Sequence, residues 1–292
     1  NHPDGLNLLG VIACRLGDPA AGIVHIAKAS AASPNEPSFL NNLGTGLSQL
    51  GQDQNALLSY KRVLELEPNH SIAHNNIATI YHKIGHLNLA VNHFLLAISS
   101  QPNYVEALSN YGNTLLDMGD LEQASKVLEK AVTLNPEYSN AQNNLGIVRQ
   151  RQGRYWDAEQ MFWIAVKINP EFADPYVNLA EIYKETGRIE EAKEFYKKAL
   201  QLVPCSPSVH SNYLYALNNL SSISAKELYL AHKKWGQMYN FAQVSKPLCP
   251  KGTNRKLKVG YVSPDFRRHS VSYFLEALFA NHNHKKFEMW LD

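Results

Sequence analysis

The chain has 292 residues, with 28 Lys and Arg against 26 Asp and Glu and a formal net charge of +2. That balance, with no basic run longer than the pairs Arg267-Arg268 and Lys285-Lys286, argues against nucleic acid as the main partner, because phosphate contacts need clustered cations. No stretch approaches the roughly 20 apolar residues that cross a bilayer, and the three cysteines (Cys14, Cys205, Cys249) suit neither a disulfide framework nor a zinc site, so a reducing compartment, cytoplasmic or nuclear, is expected.

No secretory pattern opens the sequence, and the first residue is Asn rather than Met, which reads as a fragment or a processed product. Two sequons, at Asn69 and Asn219, are taken as chance matches. Prolines then recur at 34, 68, 102, 136, 170 and 204, and glycines at 17, 51, 85, 119, 153 and 187. A constant step of 34 residues is the period of the tetratricopeptide repeat, a helix–turn–helix unit that stacks into a superhelix. The columns give units at about 3–36, 37–70, 71–104, 105–138, 139–172 and 173–206. Each glycine is expected to end a first helix in a left-handed conformation, and each proline to follow a second helix.

Three further columns describe the packing. Position 8 of the unit holds Gly10, Gly44, Ala78, Gly112, Gly146 and Ala180, and position 20 holds Gly22, Ala56, Ala90, Ala124, Ala158 and Ala192. Position 27 holds Ala29, Val63, Ala97, Ala131, Ala165 and Ala199. Small residues at fixed places mark close helix–helix approach, and the bulkier position 24 (Ile26, Tyr60, Phe94, Leu128, Phe162, Tyr196) fills the space between. After the sixth unit, residues 207–219 read as a first helix and 224–240 as a longer closing helix over the apolar end of the solenoid. Leu6, Leu8 and Leu9 crowd the first helix, as they would if more repeats preceded Asn1.

Position 6 carries Asn42, Asn76, Asn110, Asn144, Asn178 and Asn212, with Leu8 breaking the column in the first unit. Asn is a mediocre helix former, so propensity does not explain it. First helices line the concave face of this architecture, and an amide both donates and accepts, so such a row suits a clamp on the backbone of an extended peptide. The competing reading is that each amide satisfies neighbouring backbone groups. Flanking positions vary: position 9 reads Thr45, Thr79, Asn113, Ile147, Glu181, and position 13 reads Gln49, Lys83, Asp117, Arg151, Glu185.

The histidines do not form a metal motif. His82 and His86 straddle Gly85, and His74, His93 and His210 are expected on helix surfaces. His282 and His284 read as loop residues. Gly44-Thr45-Gly46 follows no strand and is not a dinucleotide loop.

The period is lost after Tyr239. Residues 243–255 read as a linker, and 256–292 as the truncated start of an α/β domain: a strand over 256–263, a helix over 271–280 and a second strand over 287–291. Ser263, Asp265 and His269 fall in the first strand-to-helix loop, where parallel sheets bind ligands. There His269 suits general acid–base work, with Asp265 the weaker candidate, while a plain helix cap is the bland alternative for Asp265 or Ser270. About 37 residues cannot bury a core of their own, so the α/β part is expected to be incomplete.

The run Val259-Gly-Tyr-Val-Ser-Pro-Asp-Phe-Arg-Arg-His-Ser-Val-Ser-Tyr-Phe274 resembles the start of the catalytic domain of the O-linked N-acetylglucosamine transferase family, which includes the plant SPINDLY proteins. Leu230-Ala-His-Lys-Lys-Trp-Gly236 resembles the helix before that domain. The resemblance implies tetratricopeptide repeats followed by a two-Rossmann glycosyltransferase domain, and hence a parent enzyme moving sugar from a nucleotide-sugar to Ser or Thr of proteins. It implies that His269 lies at the active-site entrance and that the asparagine row holds acceptor backbones. Animal-type members carry His-Pro-Thr-Ser-His where this chain has His269-Ser-Val-Ser-Tyr273, the SPINDLY and bacterial pattern, so the donor is UDP-N-acetylglucosamine or GDP-fucose. The donor site belongs to a second Rossmann half outside this sequence, and the fragment alone is expected to be inactive. No metal is implied, the partners are proteins or peptides, and a homodimer through the repeats is compatible with this reading. A non-enzymatic repeat adaptor is the rival.

Overall fold

The computed structural model describes residues 2–239, 257–261 and 287–291. The chain divides after Tyr239 into two units.

The first unit is a run of helix pairs: α1 (Pro3–Arg15) with α2 (Pro19–Ala32), α3 (Pro37–Gln49) with α4 (Asp53–Leu66), and α5 (Ser71–Lys83) with α6 (Leu87–Ser100). They continue as α7 (Val105–Met118) with α8 (Leu121–Leu134), α9 (Ser139–Arg151) with α10 (Tyr155–Ile168), α11 (Ala173–Glu185) with α12 (Ile189–Leu202), and α13 (Pro207–Asn218) with α14 (Ala225–Met238). The six repeating glycines all adopt positive φ, from 73° at Gly51 to 88° at Gly17. No L side chain takes that conformation cheaply, which is why the column is invariant in this chain.

Odd-numbered helices pack on one another across units, α1 on α3, α3 on α5, and onward to α9 on α11. Each even helix packs on its own partner and on the next odd helix. The odd helices therefore form an inner layer and the even helices an outer one. The small-residue columns explain the spacing. A Cβ on Gly44 would lie 2.5 Å from Tyr60 Cε1, on Gly112 2.4 Å from Leu128 Cγ, and on Gly146 2.5 Å from Phe162 Cε1. Position 8 of the inner helix thus sits on the position 24 side chain of its outer partner. The alanines of positions 20 and 27 are fully buried between layers. Gly46, far from being part of a phosphate loop, faces Ile23 Cγ1 of the preceding unit, 2.9 Å from where a Cβ would stand.

Two expectations need correction. The closing helix α14 is not longer than its counterparts: it has 14 residues, as do the other outer helices. It begins at a Ser224–Glu227 capping box and stops just after Gly236, a poor helix former. Nor is His74 a surface residue. It is buried at 5% exposure, because its imidazole reaches the carbonyl of Pro68 at 3.0 Å, a service that Gln142 renders to Pro136 (2.9 Å) and Tyr176 to Pro170 (3.2 Å). A polar group at position 4 ties the proline turn to the helix after it. His210 reaches its turn in relay, through Tyr239 at 3.0 Å, whose hydroxyl donates to Pro204.

In the second unit, β1 (Leu257–Tyr261) and β2 (Phe287–Leu291) pair in parallel, Leu257 opposite Phe287 through Tyr261 opposite Leu291. Both strands fall where the sequence predicts them. The expected helix over 271–280, Asp265, His269, His282 and His284 lie outside the described residues.

Candidate protein-binding groove

The asparagine row lies on the inner layer, one residue on each of α3, α5, α7, α9, α11 and α13, and every member is half-buried. Each donates its side-chain N–H to the preceding unit. Asn42 Nδ2 reaches Asn7 Oδ1 at 3.1 Å, Asn76 reaches Asn41 at 3.3 Å, Asn110 reaches Asn75 at 3.2 Å and Asn178 reaches Asn143 at 2.9 Å. Asn144 donates to the carbonyl oxygen and hydroxyl of Ser109 at 3.4 and 3.3 Å. At the last step the acceptor position holds Val177, and Asn212 turns instead to the Glu181 carboxylate at 3.1 Å.

The partners form a second column, at position 5, that sequence reasoning missed. Its signal was the pair Asn-Asn recurring at 41–42, 75–76 and 143–144. Each bond contributes about 1 kcal/mol to holding successive units in register, and the row is thus part of the solenoid's own wiring. The expectation that the amides satisfy neighbouring backbone groups describes Asn144 alone; the N–H groups of the other five go to side-chain oxygens. The carbonyl side is a separate matter, because no ladder Oδ1 is among the buried atoms left without a partner in the described residues.

Several charged side chains of the inner layer find partners within the protein. Lys83 pairs with Asp53 at 2.8 Å, and His82 meets Thr114 at 2.9 Å and Asp117 at 3.3 Å. Arg151 donates to the Leu116 carbonyl at 2.7 Å, while Glu181 receives Tyr196 and Lys184. Between α9, α11 and α13 a cleft of about 440 Å³ opens beside the row, with Asn144 and Asn178 at its wall and Ile147, Val177 and Val209 lining it. Asp174 borders the same cleft, and burial raises its carboxyl above the ordinary carboxylate range. The surface is thus amide-rich and apolar in patches. Among the described residues no group of three or more His, Cys, Asp or Glu could hold a metal ion, and no helix is long and apolar enough to cross a membrane.

The profile of the family described as "Cilia and flagella-associated protein 70 C-terminal domain" matches residues 12–240. The chain belongs to that tetratricopeptide-repeat family. Curated relatives are similar over the repeat region. The "Probable UDP-N-acetylglucosamine--peptide N-acetylglucosaminyltransferase SPINDLY" of Oryza sativa subsp. japonica is 39% identical over 95 residues, 32% of this chain and 10% of that protein. The protein of the same name from Hordeum vulgare is 42% identical over 88 residues, 30% of this chain and 9% of that protein. The matched stretches therefore span about a tenth of these relatives' length. Among solved structures, a thermophilic tetratricopeptide-repeat protein of Thermus thermophilus superposes with a TM-score of 0.57 at 26% identity, covering 63% of this chain and all of that one. Cut9, solved with Hcn1 as an APC/C hetero-tetramer, gives a TM-score of 0.68 at 14% identity, covering 74% of this chain and 43% of that one. Its likeness is one of fold alone.

Proposed function

We propose that the repeats form the acceptor-binding arm of a protein O-glycosyltransferase, holding an extended segment of a protein substrate along the row from Asn42 to Asn212. The observation that carries the binding role is the unbroken row: one half-buried amide per unit, on the inner layer, over six units. The reaction class rests on the similarity to proteins named as peptide N-acetylglucosaminyltransferases and on the resemblance of residues 259–274 to the start of the transferase domain. The parent then moves a sugar from its nucleotide carrier to a Ser or Thr hydroxyl and releases the nucleoside diphosphate. N-acetylglucosamine from UDP-N-acetylglucosamine is the first choice of sugar, and fucose from GDP-fucose the SPINDLY-type alternative. His269 is the candidate to manage the proton at the acceptor hydroxyl, and Asp265 the weaker one.

The match to a repeat family whose description mentions no enzyme favours one other reading, a non-catalytic adaptor that uses the same groove. One experiment separates them. The full-length parent is incubated with either donor and with a protein or a short peptide as acceptor, before and after replacing the six row asparagines by Ala. Transfer to proteins should fall several-fold more than transfer to short peptides. Equal losses would remove the groove from acceptor binding, and no transfer from either donor would leave the adaptor.

A further inference from the structure

We propose that the joint between the third and fourth units responds to pH, because the protonated ring of His82 holds α7 through one more contact than the neutral ring can.

The joints from the second unit to the sixth each carry a cation–carboxylate pair across the boundary. Lys83 of the third unit meets Asp53 of the second at 2.8 Å, Arg149 of the fifth meets Glu129 of the fourth, and Arg188 of the sixth comes within 3.9 Å of Glu159 of the fifth. Lysine and arginine stay charged throughout the neutral range, so these pairs are permanent. Between the third and fourth units the place of the cation is taken by His82, whose Nε2 lies 3.3 Å from Asp117 Oδ2. Among the described residues it is the one imidazole that links an inner helix to the next. An imidazole is the side chain that changes charge near neutral pH.

Three contacts compete for protons at this joint. Thr114 Oγ1 has a single proton and donates it to the Asn110 carbonyl at 2.9 Å. Its oxygen can then only accept, so His82 Nδ1, 2.9 Å away, must donate. Nε2 must also carry a proton to meet the Asp117 carboxylate. A protonated ring has both N–H groups and satisfies all three contacts. A neutral ring has one, and one of the three is lost. Thr114 is fully buried, so water does not replace a bond lost there. The bonds of the protonated ring are also charge-assisted.

The other ionisable groups on elements packed against α5 are engaged elsewhere. On α4, Asp53 holds Lys83, Arg62 meets Glu65, Tyr60 meets Thr45, and Lys61 acts on His93. Helix α3 carries no ionisable side chain, and on α6 His93 faces His74. On α7, Glu106 takes the Asn75 amide and Tyr111 packs on Phe94, while Asp120 beyond it caps α8. His86 lies against Tyr81. Asp117 is thus the ionic partner of His82, and the hold on α7 is full on the acid side of the imidazole range and weakens as pH rises through it.

Native-state hydrogen exchange of the 292-residue chain, with the intrinsic pH dependence of exchange divided out, reads the joints separately. From pH 8 to pH 6 the protection of the α7 amides should rise about three-fold, the scale of a partly exposed ion pair. Amides of α9 and α12, beside the arginine joints, should keep the same protection. His82→Gln should abolish the α7 response, and Asp117→Asn, which leaves the Thr114 bond in place, should reduce it. His93 is present in the parent and in both variants, so its own titration cancels in the comparison. An α7 response undiminished in either variant, or an α7 protection in the parent equal at both pH values, would overturn the proposal.

Discussion

Gly146→Ala tests whether the small-residue column is set by packing. Gly146 is buried in α9, and a Cβ there would lie 2.5, 2.7 and 3.0 Å from Cε1, Cδ1 and Cζ of Phe162, a ring with no exposed surface. Two effects oppose. Alanine in a helix interior is favoured over glycine by about 0.5–1 kcal/mol. Forcing a methyl against a ring that cannot retreat into solvent costs about 1–3 kcal/mol. The sum is a loss of about 1 kcal/mol. It stays modest because Ala78 and Ala180 occupy the same column against Phe94 and Tyr196, so the fold can reset a ring by a few tenths of an ångström. Gly153→Ala supplies the contrast: φ is +76° and nothing lies within 4 Å of the new Cβ, so its loss of about 1–2 kcal/mol is wholly backbone strain. Urea unfolding followed by circular dichroism reads both. Phe162→Val is then added as a second site. It should relieve the Gly146→Ala penalty and leave the Gly153→Ala penalty unchanged, the first pair coupled and the second additive. A Gly146→Ala protein more stable than the parent, or uncoupled from Phe162, would refute the packing argument.

Position 4 supplies two more tests. The His74 and His93 rings meet Nδ1 to Nδ1 at 3.0 Å, with His74 Nε2 against the Pro68 carbonyl at 3.0 Å; burial, then His74 and Lys61, lower the His93 pKa to about 4. The unfolded chain takes up a proton near pH 6.5 that the folded one refuses until about pH 4, so stability present above pH 6.5 is lost as pH falls. Between pH 7 and 5 the loss should be roughly 1–2 kcal/mol for this half-buried residue, and His93→Gln should remove most of that slope; an unchanged slope would contradict it. Gln142→Leu should be neutral or stabilising by about 1 kcal/mol. The bond to Pro136 goes, but so does a buried Gln142 Oε1 that has no partner, and Leu108 already serves at this position one unit earlier; a loss above about 2 kcal/mol in urea would refute this.

The period and its glycines made the helix pairs legible, because a left-handed turn and a proline stop each demand a particular residue at a fixed place. The asparagine row was legible as a column, but the direction of its bonds was not. Asn110 and Asn75 are 35 residues apart, and only the stacking of units brings them together. The same holds for His74: nothing near it in sequence announces that position 4 folds under the turn toward the Pro68 carbonyl. Local chemistry dictates the turns, whereas the burial of polar residues depends on which unit sits beside which.

The layering has one mechanical consequence. Inner helices touch their successors directly, and outer helices meet the next unit mainly through its inner helix, the Trp163–Phe195 ring contact between α10 and α12 being an exception. A change of curvature can therefore spread or close the outer layer while disturbing few outer-to-outer contacts, of which the Trp163–Phe195 ring pair is one. The pivot is the inner edge, where the amide bonds run from unit to unit. The solenoid behaves as a row of stiff leaves bound along one spine, and a load applied at either end is passed on one junction at a time.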